Sequence, residues 1–501
     1  MLGDTRLVKP REIFDRDREW QALAEFTADP RPEATLGIVS GRRRQGKTYL
    51  LRSLARVAGG FFFEAAEATE AESLRMFGAA LARHAGLPGD LPFLRWDDAL
   101  TYLFGLDAAV AGPVVIDEFP YLVKASPQLP SLLKRELDAR GPSQPGSRCI
   151  RLLLCGSAMS VMGSLLAGGA PLRGRAGLEM VVQPFGYRDA ATFWGVTDPR
   201  LAVLLHSIVG GTPAYRRQFV RDDAPEGPAD FDDWVVRAVL NPDRPLLREA
   251  RYLLAETDVR DMALYHSVLA AVATGNRRWG GIASYVGRKG TDIAHPLHVL
   301  EDCGLVIREE DCFRSGRTQY RIAEPLIGFY EAIMRPRWAD LEQGAGAAVW
   351  QDSSARFLSG IAGPHFEQLC RDFARQHGRE AFGQPVGEVG HGVVADPANR
   401  AQLEIDVAAL GPSQPGVRRQ VVSIGEAKWG DVMGLRHLDR LRRARALLET
   451  KGFDTSETVL TCYAGTGCDA ALRAEAARHR VLLVQPGQLY GGSASGASAA
   501  G

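Results

Sequence analysis

Eight consecutive residues near the start of the chain combine glycine, lysine and threonine in a spacing that suits polyphosphate binding. They follow a short apolar run that begins at Thr35, and a stretch with the pattern of a helix comes after them. They fit the pattern G-x-x-x-x-G-K-[ST] and are Gly41, Arg42, Arg43, Arg44, Gln45, Gly46, Lys47 and Thr48. Glycines let such a loop curl so that its N–H groups point inward at phosphate oxygens, and the following helix adds partial positive charge. The spacing therefore predicts a phosphate-binding loop, or P-loop.

Two side chains of this loop would complete a nucleotide site. Lys47 would reach the β- and γ-phosphates of ATP, and the hydroxyl of Thr48 would ligate Mg²⁺. A chance glycine–lysine turn is the alternative for the bare pattern. The strand before the loop, the helix after it and an acidic pair farther along the chain favour ATP with Mg²⁺.

The acidic pair stands at the end of an apolar run that starts at Pro113. If this run is a buried strand, Asp117 can hold Mg²⁺ through water, and Glu118 can orient and deprotonate the attacking water. Acidic pairs are common at the start of loops that follow strands, so the pair alone is a weak signal. Its place after a P-loop, among alternating strands and helices, makes it a Walker B candidate.

Three further residues could touch the transferred phosphate. Ser157 follows the apolar run that begins at Arg151, and it could contact the γ-phosphate or its water, or cap the next helix. Arg173 and Arg175 could stabilise charge in the transition state, within the chain or across a subunit boundary. A solvated loop arginine is the alternative for each of these two.

A second group of charged residues lies near the C-terminus. Glu426 and Lys428 are two apart in an apolar run, so they share one face if the run is a strand. Asp406 lies in the preceding run, and with Glu426 it could hold a divalent metal, Mg²⁺ or Mn²⁺. Lys428 could position a water and steady a pentacovalent phosphate, and Glu367 could assist from an earlier helix. The alternative is a structural salt bridge from Lys428 to either acid.

The elements that must position the first group alternate between strand and helix. This alternation predicts an α/β fold, with a parallel sheet covered by helices on both faces and the nucleotide at the carboxyl ends of the strands. We expect a P-loop ATPase core over residues 12–220 and a helical lid over 221–260.

Two different patterns follow the lid. Three helices and two short strands over residues 261–335 predict a winged helix-turn-helix. After an expected connector at 336–360, the order helix, three strands, helix, strand over 361–487 predicts a restriction-endonuclease-like PD-(D/E)xK core. The glycine- and serine-rich tail, 488–501, is expected to be disordered.

Charge and composition limit the partners of the chain. Its 501 residues hold 60 basic and 60 acidic side chains, so any surface for nucleic acid must be local. Arginines such as Arg277, Arg278 and Arg317 cluster in the winged-helix region, where DNA contact and a protein-packing role stay equally open. Seven scattered cysteines, no signal-like N-terminus and no long apolar run predict a cytoplasmic protein without a membrane span.

Several short motifs together resemble the archaeal-type ATPase family, a prokaryotic branch of the AAA+/STAND-like P-loop ATPases whose members carry a C-terminal domain of the DUF234 type. The resemblance covers roughly residues 12 to 485. The motifs are GRRRQGKT, VVIDEF, GSA, PLRGRA, QPF, GGTPAY, EIDVAA and GEAKW.

The resemblance implies ATP binding and hydrolysis by Lys47, Thr48, Asp117 and Glu118, and a nuclease-like domain. In that domain the matching residues are Asp406, Glu426 and Lys428. Arg173 stands where the family has an aromatic residue, which leaves Arg175 as the better arginine candidate.

Two functions therefore compete, and either is compatible with a homo-oligomer. The first is an ATPase coupled to a metal-dependent nuclease that acts on DNA. The second is a regulatory ATP switch whose winged helix and nuclease-like fold serve as interaction modules. The balanced charge favours the second, and the intact set of Asp406, Glu426 and Lys428 favours the first.

Overall fold

The structure is a computed structural model, and it divides the chain into two compact units, Met1–Pro184 and Phe185–Gly501. The residues that it describes are 7–31, 34–105, 112–140, 150–255 and 261–491. Among these residues, the six cysteines are free thiols, and no helix has the length and apolar character that a bilayer crossing requires.

The first unit is built on a sheet of five parallel strands in the order β2-β3-β4-β1-β5. The strands are β1 (Thr35–Ser40), β2 (Phe61–Glu64), β3 (Val114–Asp117), β4 (Arg151–Gly156) and β5 (Ala176–Val181). The helices are α1 (Asp17–Thr27), α2 (Lys47–Ala58), α3 (Glu70–His84), α4 (Trp96–Gly105), α5 (Phe119–Ala125), α6 (Leu129–Ala139) and α7 (Met159–Ser164). The α/β fold with a parallel sheet is thus as predicted.

Alternate residues of the strands enter different cores. Ile38 and Ile116 pack in one apolar cluster, whereas Val39 and Val115 pack in another. Side chains two apart on a strand share a face, so the two clusters lie on opposite faces of the sheet. Strands that are apolar on both faces require helices on both faces, which the observed layers provide.

The second unit begins with helices. They are α8 (Tyr187–Trp194), α9 (Pro199–Val209), α10 (Phe231–Trp234) and α11 (Pro245–Ala255), with π-helical turns at Tyr215–Phe219 and Val235–Val239. The expected core limit, 12–220, therefore differs from the observed division. The reason is that β5 is the last strand of the parallel sheet, while α9 packs against elements of the second unit. Part of the expected lid, residues 256–260, lies outside the described residues.

Residues 261–335 contain three helices and a strand hairpin. These are α12 (Met262–Ala273), α13 (Trp279–Val286), α14 (Gly290–Asp302), β6 (Val306–Asp311) and β7 (Arg314–Ile322), with α15 (Pro325–Phe329) after them. The segment expected to be a connector, 336–360, has regular secondary structure. It is helical, with α16 (Trp338–Glu342) and α17 (Gly346–Phe357), because Val349, Trp350 and Phe357 supply a buried apolar stripe.

The C-terminal part contributes most of a seven-stranded sheet in the order β12-β11-β10-β9-β8-β6-β7. Its strands are β8 (Glu388–Asp396), β9 (Ala401–Leu410), β10 (Val421–Lys428), β11 (Val459–Ala464) and β12 (Val481–Val484). Its helices are α18 (Gly363–Phe382), α19 (Leu435–Thr450), α20 (Ala470–Arg478) and α21 (Pro486–Leu489). The β6–β7 hairpin thus joins the edge of the C-terminal sheet.

The start of the expected tail is ordered in a helix. Helix α21 ends at Leu489, whose side chain is buried. The rest of the expected tail, from residue 492, lies outside the described residues.

Candidate functional site

The loop between β1 and α2 has the backbone that its glycines allow. Gly41 has φ 141° and Gly46 has φ 85°, both in a region that favours glycine. A Cβ on Gly41 would lie 2.5 Å from the carbonyl oxygen of Val182, so no larger residue fits there. Helix α2 begins at Lys47, and its first N–H groups therefore face the loop.

Lys47 is a buried cation inside this loop. Its Nζ donates to the carbonyl oxygens of Gly41 at 2.7 Å and Arg42 at 2.8 Å. Burial lowers the pKa of Lys47. A polyphosphate in the loop would offset that cost, because it brings negative charge to a desolvated ammonium.

The sheet order explains how three distant segments meet at one edge. Strand β4 lies between β1 and β3, so Ser157, just after β4, stands between the P-loop and the acidic pair. The hydroxyl of Ser157 lies 3.2 Å from both carboxylate oxygens of Glu118. The helix α7 begins with Ala158 as its N-cap, and no side chain caps it. Ser157 therefore contacts the acid rather than capping the helix.

Arg43 links the P-loop to this pair. Its Nε donates to the Ser157 hydroxyl at 3.2 Å, and its Nη2 donates to the Tyr121 hydroxyl at 2.8 Å. Sequence reasoning assigned Arg43 to the loop backbone and missed this side-chain role. The only signal was a long cation in the loop, and its target lies 114 residues away in the chain.

The two acids of the pair differ in environment. Asp117 is buried, and its Oδ1 accepts from the Glu118 N–H at 2.9 Å. Among the described residues, its Oδ2 is buried without a nitrogen or oxygen donor. Burial, followed by the charge of Asp117, raises the pKa of Glu118, while Arg43, Lys47 and Ser157 oppose the rise. A carboxylate with a raised pKa suits a general base.

These observations fit Mg²⁺–ATP. The buried Lys47 and the glycine cradle suit the phosphates, and the orphaned Oδ2 of Asp117 suits a water of a hydrated magnesium ion. Thr48 lies in the first turn of α2, half-buried, where its hydroxyl can serve as the second ligand.

Arg173 and Arg175, the arginines expected to stabilise transition-state charge, have partners away from the acidic pair. Arg175 donates to Asp138 through Nε at 2.6 Å and Nη2 at 3.0 Å, and Arg173 donates to the carbonyl oxygen of Gly168. The Arg175 guanidinium is thus held in a bidentate ion pair at the end of α6 rather than at the acidic pair.

The second group converges on one face of the C-terminal sheet. Asp406 lies on β9, and Glu426 and Lys428 lie on the neighbouring β10. The Lys428 Nζ lies 3.4 Å from Glu426 Oε1 and 3.9 Å from Asp406 Oδ2. The Lys428 side chain is 33% exposed, so solvent reaches the group.

The carboxylates of this group are crowded and only partly neutralised. Burial, and then the charge of Glu367, raises the pKa of Asp406 to about 7. Asp406 accepts from the Ala427 N–H at 2.8 Å, and Arg440 on α19 lies 3.6 Å from Glu426 Oε1. The Oε2 of Glu426 is buried with no hydrogen-bond partner among the described residues. Sequence reasoning missed Arg440, because a contact between a helix and a strand produces no characteristic residue spacing in the sequence.

A divalent cation fits this group as a two-carboxylate site. Crowded acids on neighbouring strands repel each other until a cation offsets them. In the described part of the chain, no three His, Cys, Asp or Glu side chains come close enough to hold a metal by themselves. Mg²⁺ commonly keeps several waters and binds through one or two carboxylates, which Asp406 and Glu426 can supply.

Comparison with known proteins gives distant similarities. No protein-family model matches the chain. It is 25% identical over 338 residues to the uncharacterized protein MJECL04 of Methanocaldococcus jannaschii, covering 66% of this chain and 71% of that protein. The Walker-type ATPase PABY2304 of Pyrococcus abyssi is a similar solved structure, with a TM-score of 0.49 and 21% identity over 66% of this chain and 99% of that one. The ORC2 protein of Aeropyrum pernix has a TM-score of 0.40 and 16% identity over 70% of this chain and 99% of that one.

Proposed function

We propose that this protein binds and hydrolyses ATP with Mg²⁺ at the loop between β1 and α2. One observation carries the proposal: a buried lysine in a glycine cradle lies beside a Ser157–Glu118 pair at the same edge of a parallel sheet. Such an edge is where α/β proteins bind nucleotides.

Each residue has a defined task in this proposal. Lys47 and the loop N–H groups bind the β- and γ-phosphates, and Thr48 and Asp117 hold the metal, Asp117 through water. The metal supplies charge stabilisation to the phosphates when it is bound. Glu118 accepts a proton from the attacking water, and Ser157 keeps the carboxylate oriented. Arg43 positions Ser157.

We further propose that the second unit is DNA-associated and contains a metal-dependent nuclease centre. The convergence of Asp406, Glu426 and Lys428 on one face favours this role. Residues 261–335 would act as a winged helix and residues 361–487 as the nuclease-like part. The competing candidate is a regulatory ATP switch without cleavage, which the ion pairs of Lys428 with both acids favour.

Purified full-length protein tests both proposals in one experiment. It is incubated with plasmid and ATP, with Mg²⁺, Mn²⁺ or EDTA, and phosphate release and plasmid nicking are measured in parallel. Phosphate release that requires metal supports the ATPase, and nicking that requires metal supports the nuclease. Metal-dependent phosphate release without nicking would leave the regulatory switch.

A further inference from the structure

A cleft in the second unit brings arginines of residues 261–335, which we call the helix–hairpin segment, next to the candidate metal centre. It lies among the start of α13, strand β7, helix α18 and strand β9. The charged side chains that matter here are Arg277, Arg278, Arg317, Glu367, Glu404 and Asp406. With Arg371 and Asp311, the same cleft holds four arginines beside four acids, and two of these acids, Glu367 and Asp406, belong to the second group.

The arginines are crowded and largely unpaired. Neither Arg277 nor Arg278 forms an ion pair with a residue in the described ranges, and Arg317 has only Asp311, at 3.9 Å. The Asp311 carboxylate is itself occupied by the N–H groups of Phe313 and Val393. Burial, and then the nearby charges of Arg278 and Arg314, lower the pKa of Arg317, while the acids Asp311 and Glu404 oppose the change. Such a cluster favours an anion, because a bound anion removes the mutual repulsion.

The arginines and the acids are fixed to one sheet. Strand β6 pairs with β8 at Asp311 and His391, and the Cys312 N–H donates to the His391 carbonyl oxygen at 2.9 Å. The Tyr320 N–H on β7 donates to the carbonyl oxygen of Arg277 at 2.7 Å. A phosphate that the arginines bind is therefore held at a set position relative to Asp406.

Other lining residues are already engaged. Arg371 donates to the Gln368 side-chain oxygen at 3.0 Å and to the Asp406 carbonyl oxygen at 2.9 Å. Arg371 thus supports β9, and Arg277, Arg278 and Arg317 remain as the cations available to a ligand.

We propose that this cleft binds the phosphate backbone of a single-stranded nucleic acid and presents it to the Asp406–Glu426–Lys428 centre. The helix–hairpin segment is then the substrate clamp of that centre rather than a separate DNA reader. Trp279 directly follows the arginines and is 38% exposed, so its ring offers a stacking surface for a base. The inference rests on the proposed function of the second unit for its chemistry, but binding is measurable without cleavage.

The first test measures the affinity of full-length protein for a labelled 20-nucleotide single strand in EDTA at several salt concentrations. The cleft variant is Arg277→Ala/Arg278→Ala/Arg317→Ala. The control variant, Arg379→Ala/Arg418→Ala/Arg478→Ala, loses the same charge from exposed positions outside the cleft. We expect the slope of log affinity against log salt to fall by roughly 2 in the cleft variant and to stay unchanged in the control. Equal losses in both variants would overturn the proposal.

The second test asks whether the bound phosphate lies beside the acids. In EDTA at pH 8.5, Asp406→Asn removes a negative charge, so we expect affinity for the strand to rise about threefold. Unchanged affinity would contradict the proposed position. A duplex that binds as tightly, with the same loss in the cleft variant, would overturn the assignment to a single strand.

Failure of the inference and failure of the nuclease proposal give different results. If wild type binds the strand, the cleft variant does not, and neither protein cleaves, then the cleft binds nucleic acid but the centre is not a nuclease. If the cleft variant cleaves as well as wild type, then the centre is a nuclease but the cleft does not hold its substrate. ATP turnover should stay unchanged in the cleft variant, because Lys47 lies in the other unit. Circular dichroism and thermal melting, compared with wild type, serve as the folding control for the second unit.

Discussion

At the residue scale, the first site depends on a chain of contacts from Arg43 through Ser157 to Glu118. The sequence predicts the P-loop and the acidic pair, because each is a local pattern of a strand and the residues after it. It leaves the role of Ser157 open between two alternatives. The contact with Glu118 was not among these alternatives, because Ser157 reaches Glu118 only through the placement of β4 beside β3.

Ser157→Ala tests this chain of contacts. It removes the hydroxyl that orients Glu118 while the P-loop stays intact, so we expect kcat for ATP to fall on the order of 10- to 100-fold, with KM little changed. Ser164→Ala is the matched control, because its hydroxyl bonds only the Val161 carbonyl oxygen and is exposed. A raised KM with normal kcat would show instead that Ser157 acts in nucleotide binding.

At the element scale, the second unit joins segments that the sequence presents as separate modules. The C-terminal helices and strands follow their local periodicity, so their order could be predicted. The pairing of the β6–β7 hairpin with β8 could not be predicted, because it depends on one paired position, Asp311 with His391. The sequence analysis assigned no secondary structure to residues 336–360, where glycines and prolines flank the apolar stripe of α17.

A half-buried histidine pair joins two helices of this unit, and we expect it to make the stability of the unit depend on pH. His206 on α9 and His365 on α18 lie 2.8 Å apart, Nδ1 to Nε2. Burial lowers the pKa of His206 to about 4, and burial, then His206 and Arg321, lower the pKa of His365 well below its ordinary value. In the unfolded chain each histidine takes up a proton near pH 6.5, about its ordinary pKa. The contribution of the pair to the free energy of unfolding is therefore fully present above that pH and is lost as the pH falls toward about 4.

We expect the free energy that protects α9 and α18 from hydrogen exchange to fall between pH 7.5 and 5.0 by up to about 2 kcal/mol per histidine. The variant His206→Asn/His365→Asn should lose most of this dependence after correction for intrinsic exchange rates. The control His298→Asn/His479→Asn changes two exposed histidines and should keep it. The same pH dependence in both double variants would contradict this assignment.

At the scale of the whole molecule, the two candidate sites lie in different compact units. The chain carries equal numbers of basic and acidic residues, 60 of each, so any surface for nucleic acid must come from local clusters, and the proposed one is the arginines of the cleft. The sequence could predict this need for a local surface. It could not show that the arginines and the acids share one cleft, because that depends on the union of two segments far apart in the chain.

Asp406→Ala tests whether the two chemistries are separable. We expect it to abolish metal-dependent nicking, because the metal loses one of its two carboxylates, while ATP turnover stays near the wild-type rate. Asp396→Ala is not a suitable control, since Asp396 is buried and paired with Arg443. Asp431→Ala, an exposed change near the same sheet, should preserve both activities. Nicking that survives Asp406→Ala would show that these acids do not form a nuclease centre.

If the loop around Lys47 is a hydrolytic ATP site, nucleotide binding and turnover can be lost separately. Mg²⁺–ATP affinity and steady-state phosphate release are measured side by side for wild type, Lys47→Ala and Glu118→Gln, with the exposed Lys134→Ala as the control. We predict that Lys47→Ala loses binding, whereas Glu118→Gln keeps binding and loses turnover because only the proton acceptor is gone. Equal ATP affinity in wild type and Lys47→Ala, or normal turnover in Glu118→Gln, would contradict the claim.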